Sequence, residues 1–367
     1  MNRATVMIGA VLGVTSAVDV GAEPTGLFAL EVRRPAGAAG NAAGDGPAKT
    51  EHRSEIWTVR PDGSDARCLI QRGDHAGNPQ WSLDGGWLYF QSDHGGTWQI
   101  YRCRPDGSGL VQLTRKKELN CYGYTISRDG RMVAYACHPD SSPAGVALML
   151  ASGRDPRFLV RNRGYNYMPS FHPDGKSLAF ASTRDGNYEV YRINTDGTEE
   201  ANLTRNEAKD FFPQWGPDGK FLFFFRSTID VGETFRMNGD GSHVLRLTKG
   251  ARHDTMRLSA DDRHGITDPP AISPDGRRMA YIAKPGAYGK VFVMTVDGSD
   301  ARMVAGRDGP CFRVKWSPDG EYISFVSWVG AWLQLFVVDP SGAEPARQVT
   351  NLDGSVVQVS WGRTSHD

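Results

Sequence analysis

Tyr167-Met-Pro-Ser-Phe-His-Pro-Asp174-Gly-Lys-Ser-Leu-Ala-Phe-Ala-Ser182-Thr-Arg-Asp-Gly-Asn-Tyr-Glu-Val-Tyr-Arg-Ile-Asn-Thr-Asp196-Gly alternates short apolar runs with Asp-Gly steps. Glycine accepts a positive φ without steric cost, and the proline before Asp174 presets the first φ of its turn, so these steps read as tight reversals. Leu178-Ala-Phe-Ala-Ser and Glu189-Val-Tyr-Arg-Ile, rich in aromatic and β-branched residues, suit strands. The pattern recurs in Trp81-Ser-Leu-Asp84-Gly, Ile126-Ser-Arg-Asp129-Gly, Trp215-Gly-Pro-Asp218-Gly, Ile272-Ser-Pro-Asp275-Gly and Trp316-Ser-Pro-Asp319-Gly. With Asp174 included, the aspartates lie 45, 45, 44, 57 and 44 residues apart. A second Asp-Gly series (Asp62, Asp106, Asp196, Asp240 and Asp297) falls between them. Two turns and four strands in about 44 residues make one propeller blade.

Counting blades gives an all-β propeller with seven preferred over six. Six units run from about 78 to 350, and a strand ending at Trp361 aligns with Trp316. With N-terminal strands near 26–34, 55–60 and 66–70 it makes a seventh blade closed by both ends of the chain, which removes an open sheet edge. The alternative is six blades with the terminal strands as decoration. Residues 35–54, rich in Gly and Ala, read as a flexible excursion, and 249–268 as an inserted inter-blade loop that accounts for the 57-residue spacing.

Composition narrows the function. Lys and Arg number 42 against 42 Asp and Glu, a balance that argues against nucleic acid as a partner. Residues 1–22 read as a secretory signal: Arg3, an apolar stretch from Ala4 to Val18, then small residues before Glu23. The rest, 23–367, is expected to be one propeller domain, exported to the periplasm or secreted, monomeric, with no membrane span after cleavage. Five cysteines are too few for a disulfide scaffold. No Gly-x-Ser-x-Gly elbow and no phosphate-binding loop occurs.

The stretch from Tyr167 to Asp196-Gly197, continued through Leu203-Thr204, resembles the repeat of TolB-type propellers, and the resemblance covers about residues 55–362. It implies the fold and a scaffold that presents a binding surface to a cell-envelope protein. TolB proper carries a further N-terminal domain, for which residues 23–54 are too short, and that departure weakens any transfer of its envelope role.

Strand order puts both Asp-Gly series on one face, where backbone geometry explains them. The opposite face carries the loops that depart from the repeat, so the site is expected there. Nine residues before the turn aspartates stand His75, Asn120, Tyr165 and Lys209; ten after them stand His94 and Arg184. Symmetry about the turn puts His75 near His94 and Tyr165 near Arg184. Two histidines and a tyrosine can move protons, and arginine pairs a carboxylate bidentately. That set resembles the sites of propeller-type polysaccharide lyases such as ulvan lyases, which implies β-elimination on an acidic polysaccharide with His75, His94, Tyr165 and Arg184 as catalytic residues. Such a lyase is the alternative to the scaffold.

Lys209, Asn120 and the inserted loop's His253, Asp254 and His264 are candidate ligand contacts. No cofactor is called for; a divalent metal is the one left open, with Cys121, Cys137 and His138 as weak ligand candidates. The two cysteines lie almost symmetrically about Asp129-Gly130. They could instead form a cross-strand disulfide or simply pack.

Overall fold

The computed structural model describes residues 24–35, 52–71, 75–139, 143–161, 164–227, 232–249 and 269–363. The signal-peptide reading of 1–22 lies outside them, as do 36–51 of the excursion and 250–268 of the inserted loop, with His253, Asp254 and His264. Among the described residues, 28 strands form seven four-stranded antiparallel sheets arranged as blades around a ring.

Six blades are each built from consecutive strands, inner to outer. Blade 3, for example, runs Asn166–Phe171, Ser177–Ser182, Glu189–Asn194 and Ala201–Asn202. Blade 7 takes its inner strand, Ser355–Gly362, from the end of the chain, followed by Leu27–Pro35, His52–Val59 and Arg67–Ile70. The propeller therefore has seven blades. Outer strands are short, two residues in four blades, which leaves little unpaired edge.

Side chains close the Asp-Gly turns. In blade 1 the Ser82 hydroxyl donates to Asp84 at 2.6 Å and accepts the Trp87 N–H at 2.9 Å, while Asp84 accepts the Gly86 N–H at 3.0 Å. Gly85 between them sits at φ 67°, where a side chain would be strained. Serines 127, 273 and 317 repeat the arrangement with Asp129, Asp275 and Asp319.

A second device joins the outer end of four blades to their third strands. The hydroxyls of Thr114, Thr204, Thr248 and Thr350 accept the N–H groups of Ile100, Val190, Thr234 and Leu335, each at 2.9 Å. Three of these hydroxyls also donate to buried side-chain oxygens, those of Glu189, Glu233 and Gln334. Cross-strand aromatic pairs fill the space between sheets. Phe90–Tyr101, Phe180–Tyr191, Phe224–Phe235, Tyr281–Phe292 and Phe325–Phe336 have ring centroids 5.5–5.8 Å apart. Each such pair contributes roughly 0.5–1.5 kcal/mol beyond its buried area.

Inner strands share an irregularity that the sequence does not announce. Asn78, Met168, Phe212 and Arg313 have φ of 51–58°, as does Gly123 at the same position of blade 2. Each marks a break in pairing with the second strand. This is a β-bulge, two residues on the inner strand opposing one on its neighbour.

Candidate functional site

Both turn series lie at one end of the ring, as the strand order requires. At that end a cavity of about 640 Å³ opens, lined by residues from all seven blades. Just before the repeat's aromatic or apolar residue, Gln80, Thr125, Ser170, Gln214, Lys315 and Ser360 line it from six blades, and Ala271 from the fifth. Inner-strand alternation turns these side chains and the aromatic residues after them to opposite faces of each blade: Gln80 donates to the Tyr124 carbonyl of the next blade at 3.0 Å, and the Trp316 indole to the Ala271 carbonyl of the preceding one at 2.9 Å. Two of the serines also bridge blades: Ser170 accepts the Trp215 N–H and Ser360 the Trp81 N–H, both at 3.2 Å.

The rim of this mouth carries basic groups. Arg128 reaches from blade 2 to donate to the Pro217 carbonyl of blade 4 at 2.5 Å, and Arg363 lines the same opening. His172 is held edge-on to Trp215 and paired with Asp174 at 2.8 Å, a structural placement. The repetitive turn face, whose residues backbone geometry explains, thus carries a defined cavity as well. The physical reason is convergence. Turn residues explained singly by backbone geometry become a ring of polar side chains when seven strands end together.

On the variable face the bulges shift the register that symmetry about the turn implies. Trp81 pairs with Leu88, but beyond the bulge Ala76 pairs with Ser92. Asp93, not His94, thus stands opposite His75, and its carboxylate accepts the His75 N–H at 2.8 Å. In blade 3, Asn166 pairs with Ser182, so Tyr165 faces Thr183, whose hydroxyl accepts its N–H at 2.9 Å. The expected pairs His75–His94 and Tyr165–Arg184 are each out by one residue. A shift of one turns a side chain to the other face of the sheet.

The four residues consequently have separate surroundings. The His75 ring lies 6.4 Å from Trp98, and His94 is exposed. Tyr165 is 47% exposed and stacks on Tyr167 at 5.8 Å, which in turn stacks on Tyr122 at 6.2 Å. Burial pushes the phenols of Tyr122 and Tyr167 above their ordinary range, so neither is poised to lose a proton near neutrality. Arg184 has a side chain only 10% exposed and is bound to Glu200 at 2.5 Å, to Ser182 at 3.0 Å and to Asn166 at 3.2 Å, with its guanidinium over Tyr191.

Of the binding candidates, Asn120 uses its side-chain oxygen to accept the Trp98 N–H at 3.0 Å, and Lys209 is exposed at the start of its strand. Cys121 and Cys137 are direct cross-strand partners with their sulfurs in contact, both buried and neither in a disulfide. His138, the next residue along, points to the other side of the sheet. It packs against Tyr122 and bonds the Pro139 carbonyl through Nδ1. Among the described residues no group of three His, Cys, Asp or Glu side chains could hold a metal, and no helix is long and apolar enough to cross a membrane.

Comparison with known proteins agrees with this architecture. The TolB beta propeller domain family matches residues 106–268. A protein TolB homolog of Chlorobaculum tepidum is 27% identical over 119 residues, which is 32% of this chain and 27% of that protein. The Tol-Pal system protein TolB of Nitratidesulfovibrio vulgaris is 29% identical over 154 residues, 37% of this chain and 30% of that one. The chain thus spans about a third or less of the length of these curated relatives. Among solved structures, TolB from Acinetobacter baumannii superimposes with a TM-score of 0.59 at 17% identity, covering 94% of this chain and 68% of that one. An oligogalacturonate lyase in complex with manganese gives 0.59 at 15% identity, covering 75% and 76%. Structural likeness at such identities speaks for the fold alone, and the propeller fold hosts many chemistries. Turn motif, family match and seven-bladed ring together make the chain a TolB-like β-propeller.

Proposed function

We propose that this TolB-like propeller is an exported binding scaffold that grips an extended segment of a cell-envelope protein at the turn-face mouth. The observation that carries the reading is the 640 Å³ cavity to which all seven blades contribute. Its amide, hydroxyl and basic side chains match the donors and acceptors of an extended backbone and the acidic residues beside it. Similarity to Tol-Pal system proteins and the leader-like residues 1–22 support a periplasmic location. A uronate lyase built on His75, His94, Tyr165 and Arg184 asks Arg184 to leave Glu200, with which it is paired.

The test puts a photo-reactive benzoylphenylalanine either at Leu83, 57% exposed on the mouth, or at His94 on the opposite face. Irradiation in the periplasm should yield a discrete envelope-protein adduct from the Leu83 position and none from the His94 position. Adducts from the His94 position alone would move the binding surface to the variable face. If instead the purified protein released unsaturated uronate from acidic polysaccharides, followed by its ultraviolet absorbance, and His94→Ala abolished it, the scaffold reading would give way to the lyase.

A further inference from the structure

One position on the third strand is aromatic in six blades: Trp57, Tyr101, Tyr191, Phe235, Phe292 and Phe336. In blade 2 it is Ala147. Its cross-strand partner there, Tyr135, occupies the place of Phe90, Phe180, Phe224, Tyr281 and Phe325 in five other blades, each of which faces an aromatic ring, and of Leu30, which faces Trp57, in blade 7. Tyr135 faces a methyl group. Phe158, the fourth-strand partner of Ala147, brings a ring to the edge of this place, and beside it a cavity of about 390 Å³ lies between blades 1 and 2.

Its walls are apolar and soft, formed by Cys121, Tyr135, Cys137, Ala147 and Phe158. Its rim is the reverse. Arg115, Lys116, Arg154 and Arg157 line it and no carboxylate does. Arg157 turns its guanidinium away to the Thr195 carbonyl of blade 3. Arg115 and Arg154 are steadied by the Gln112 carbonyl at 3.2 Å and the Ser152 hydroxyl at 3.4 Å. An apolar slot with two rings in its walls and three cations at its opening has the anatomy of a small-molecule site.

We propose that this inter-blade pocket binds a planar aromatic anion, its ring stacked on Tyr135 in the place of the missing aromatic and its acid group met by Arg115, Lys116 and Arg154. The site is independent of the turn-face mouth, which lies at the ring's axis rather than between two blades. Stacking on Tyr135 selects a flat ring, and the cationic rim, unopposed by any lining carboxylate, selects the charge.

The probe is 8-anilinonaphthalene-1-sulfonate, an aromatic sulfonate whose fluorescence rises on leaving water, compared with its uncharged relative N-phenyl-1-naphthylamine. The native chain should bind the sulfonate at least about tenfold more tightly than the neutral amine, and added salt should weaken it. Ala147→Phe restores the ring found in the other blades. It should cut sulfonate affinity at least about tenfold while thermal stability is kept or raised. A double Arg115→Glu, Arg154→Glu variant should weaken the sulfonate and spare the amine. Native-like sulfonate binding in folded Ala147→Phe overturns the proposal, as does equal binding of the two probes. If Ala147→Phe does not fold, the charge-reversal variant decides, and unchanged sulfonate affinity there overturns it.

Discussion

The hydroxyl of Thr204 accepts the Val190 N–H at 2.9 Å and donates to the Glu189 carboxylate at 2.5 Å, deep in blade 3, where Glu189 is 2% exposed. Thr204→Val keeps the shape and removes both bonds. A buried N–H and a buried carboxylate oxygen are then left short of a partner, at about 1–3 kcal/mol each. Urea unfolding should show a loss of roughly 2–4 kcal/mol for Thr204→Val, with Thr204→Ser recovering most of it. Equal losses for the two would mean that the methyl group, not the hydroxyl, matters. The Leu203-Thr204 ending was legible as part of the repeat, but its buried acid partner 15 residues earlier was not, since a glutamate in a strand reads as an outward side chain. Arg184 shows the same limit in reverse. Its type and position suggested a cation for a substrate, and only the fold revealed Glu200 beside it.

At the scale of the element, the Asp-Gly turns make a prediction about acid. The Asp297 carboxylate accepts the Ser299 N–H at 2.9 Å and the Ser299 hydroxyl at 2.8 Å, with Thr295 also donating, and these bonds hold its pKa down to about 2 from an ordinary 3.8. A carboxyl depressed in the folded state binds fewer protons there than in the unfolded chain. Its contribution is therefore complete above about pH 4 and is lost as pH falls through the window from 3.8 to about 2. Asp297→Asn should be less stable than the native chain at pH 6, and the gap in urea midpoint should narrow steadily below pH 4. A gap that stays constant to pH 3 would mean the turn does not depend on the charge. These turns were readable because Asp and Gly have a chemical reason to be there. The bulges were not. Met168, Phe212 and Arg313 are residue types that rarely take a positive φ, so nothing in their identity warns of it, and hairpin symmetry came out one residue wrong at the variable face. Ala147 was readable in principle, as the one small residue in an aligned column of aromatics, but only once seven third strands were set in register.

The whole molecule depends on how the ring is closed. Ser355–Gly362 pairs antiparallel with Leu27–Pro35 from Leu27↔Gly362 to Arg33↔Ser355, so the first and last described strands share a sheet. The strand buries Val356, Val357, Val359 and Trp361, and the Trp361 indole N–H donates to the Thr25 carbonyl at 2.9 Å. It also reaches the next blade, where the Ser360 hydroxyl accepts the Trp81 N–H at 3.2 Å. Burial of each large apolar side chain is worth roughly 1.5–3 kcal/mol, so one short strand holds a sizeable part of the stability of a marginally stable fold. Its loss would also expose the full length of Leu27–Pro35 as an edge that can pair with another molecule. A chain ending at Asp353 should therefore be recovered as aggregate or melt at a far lower temperature than the complete one. A synthetic peptide of residues 354–363, added during refolding, should restore the soluble native species by supplying the missing strand. If the shortened chain stayed soluble with an unchanged melting temperature, the six internally built blades would be self-sufficient and the seventh mere decoration. Trp361 had signalled the opposite from the sequence, by falling in line with Trp316. What that alignment could not convey was that the closing strand is held on both sides at once, by its own sheet and by Trp81 of the first blade. Shared hold of that kind makes closure cooperative, so the truncated chain should lose the ring in one transition rather than shed a single blade.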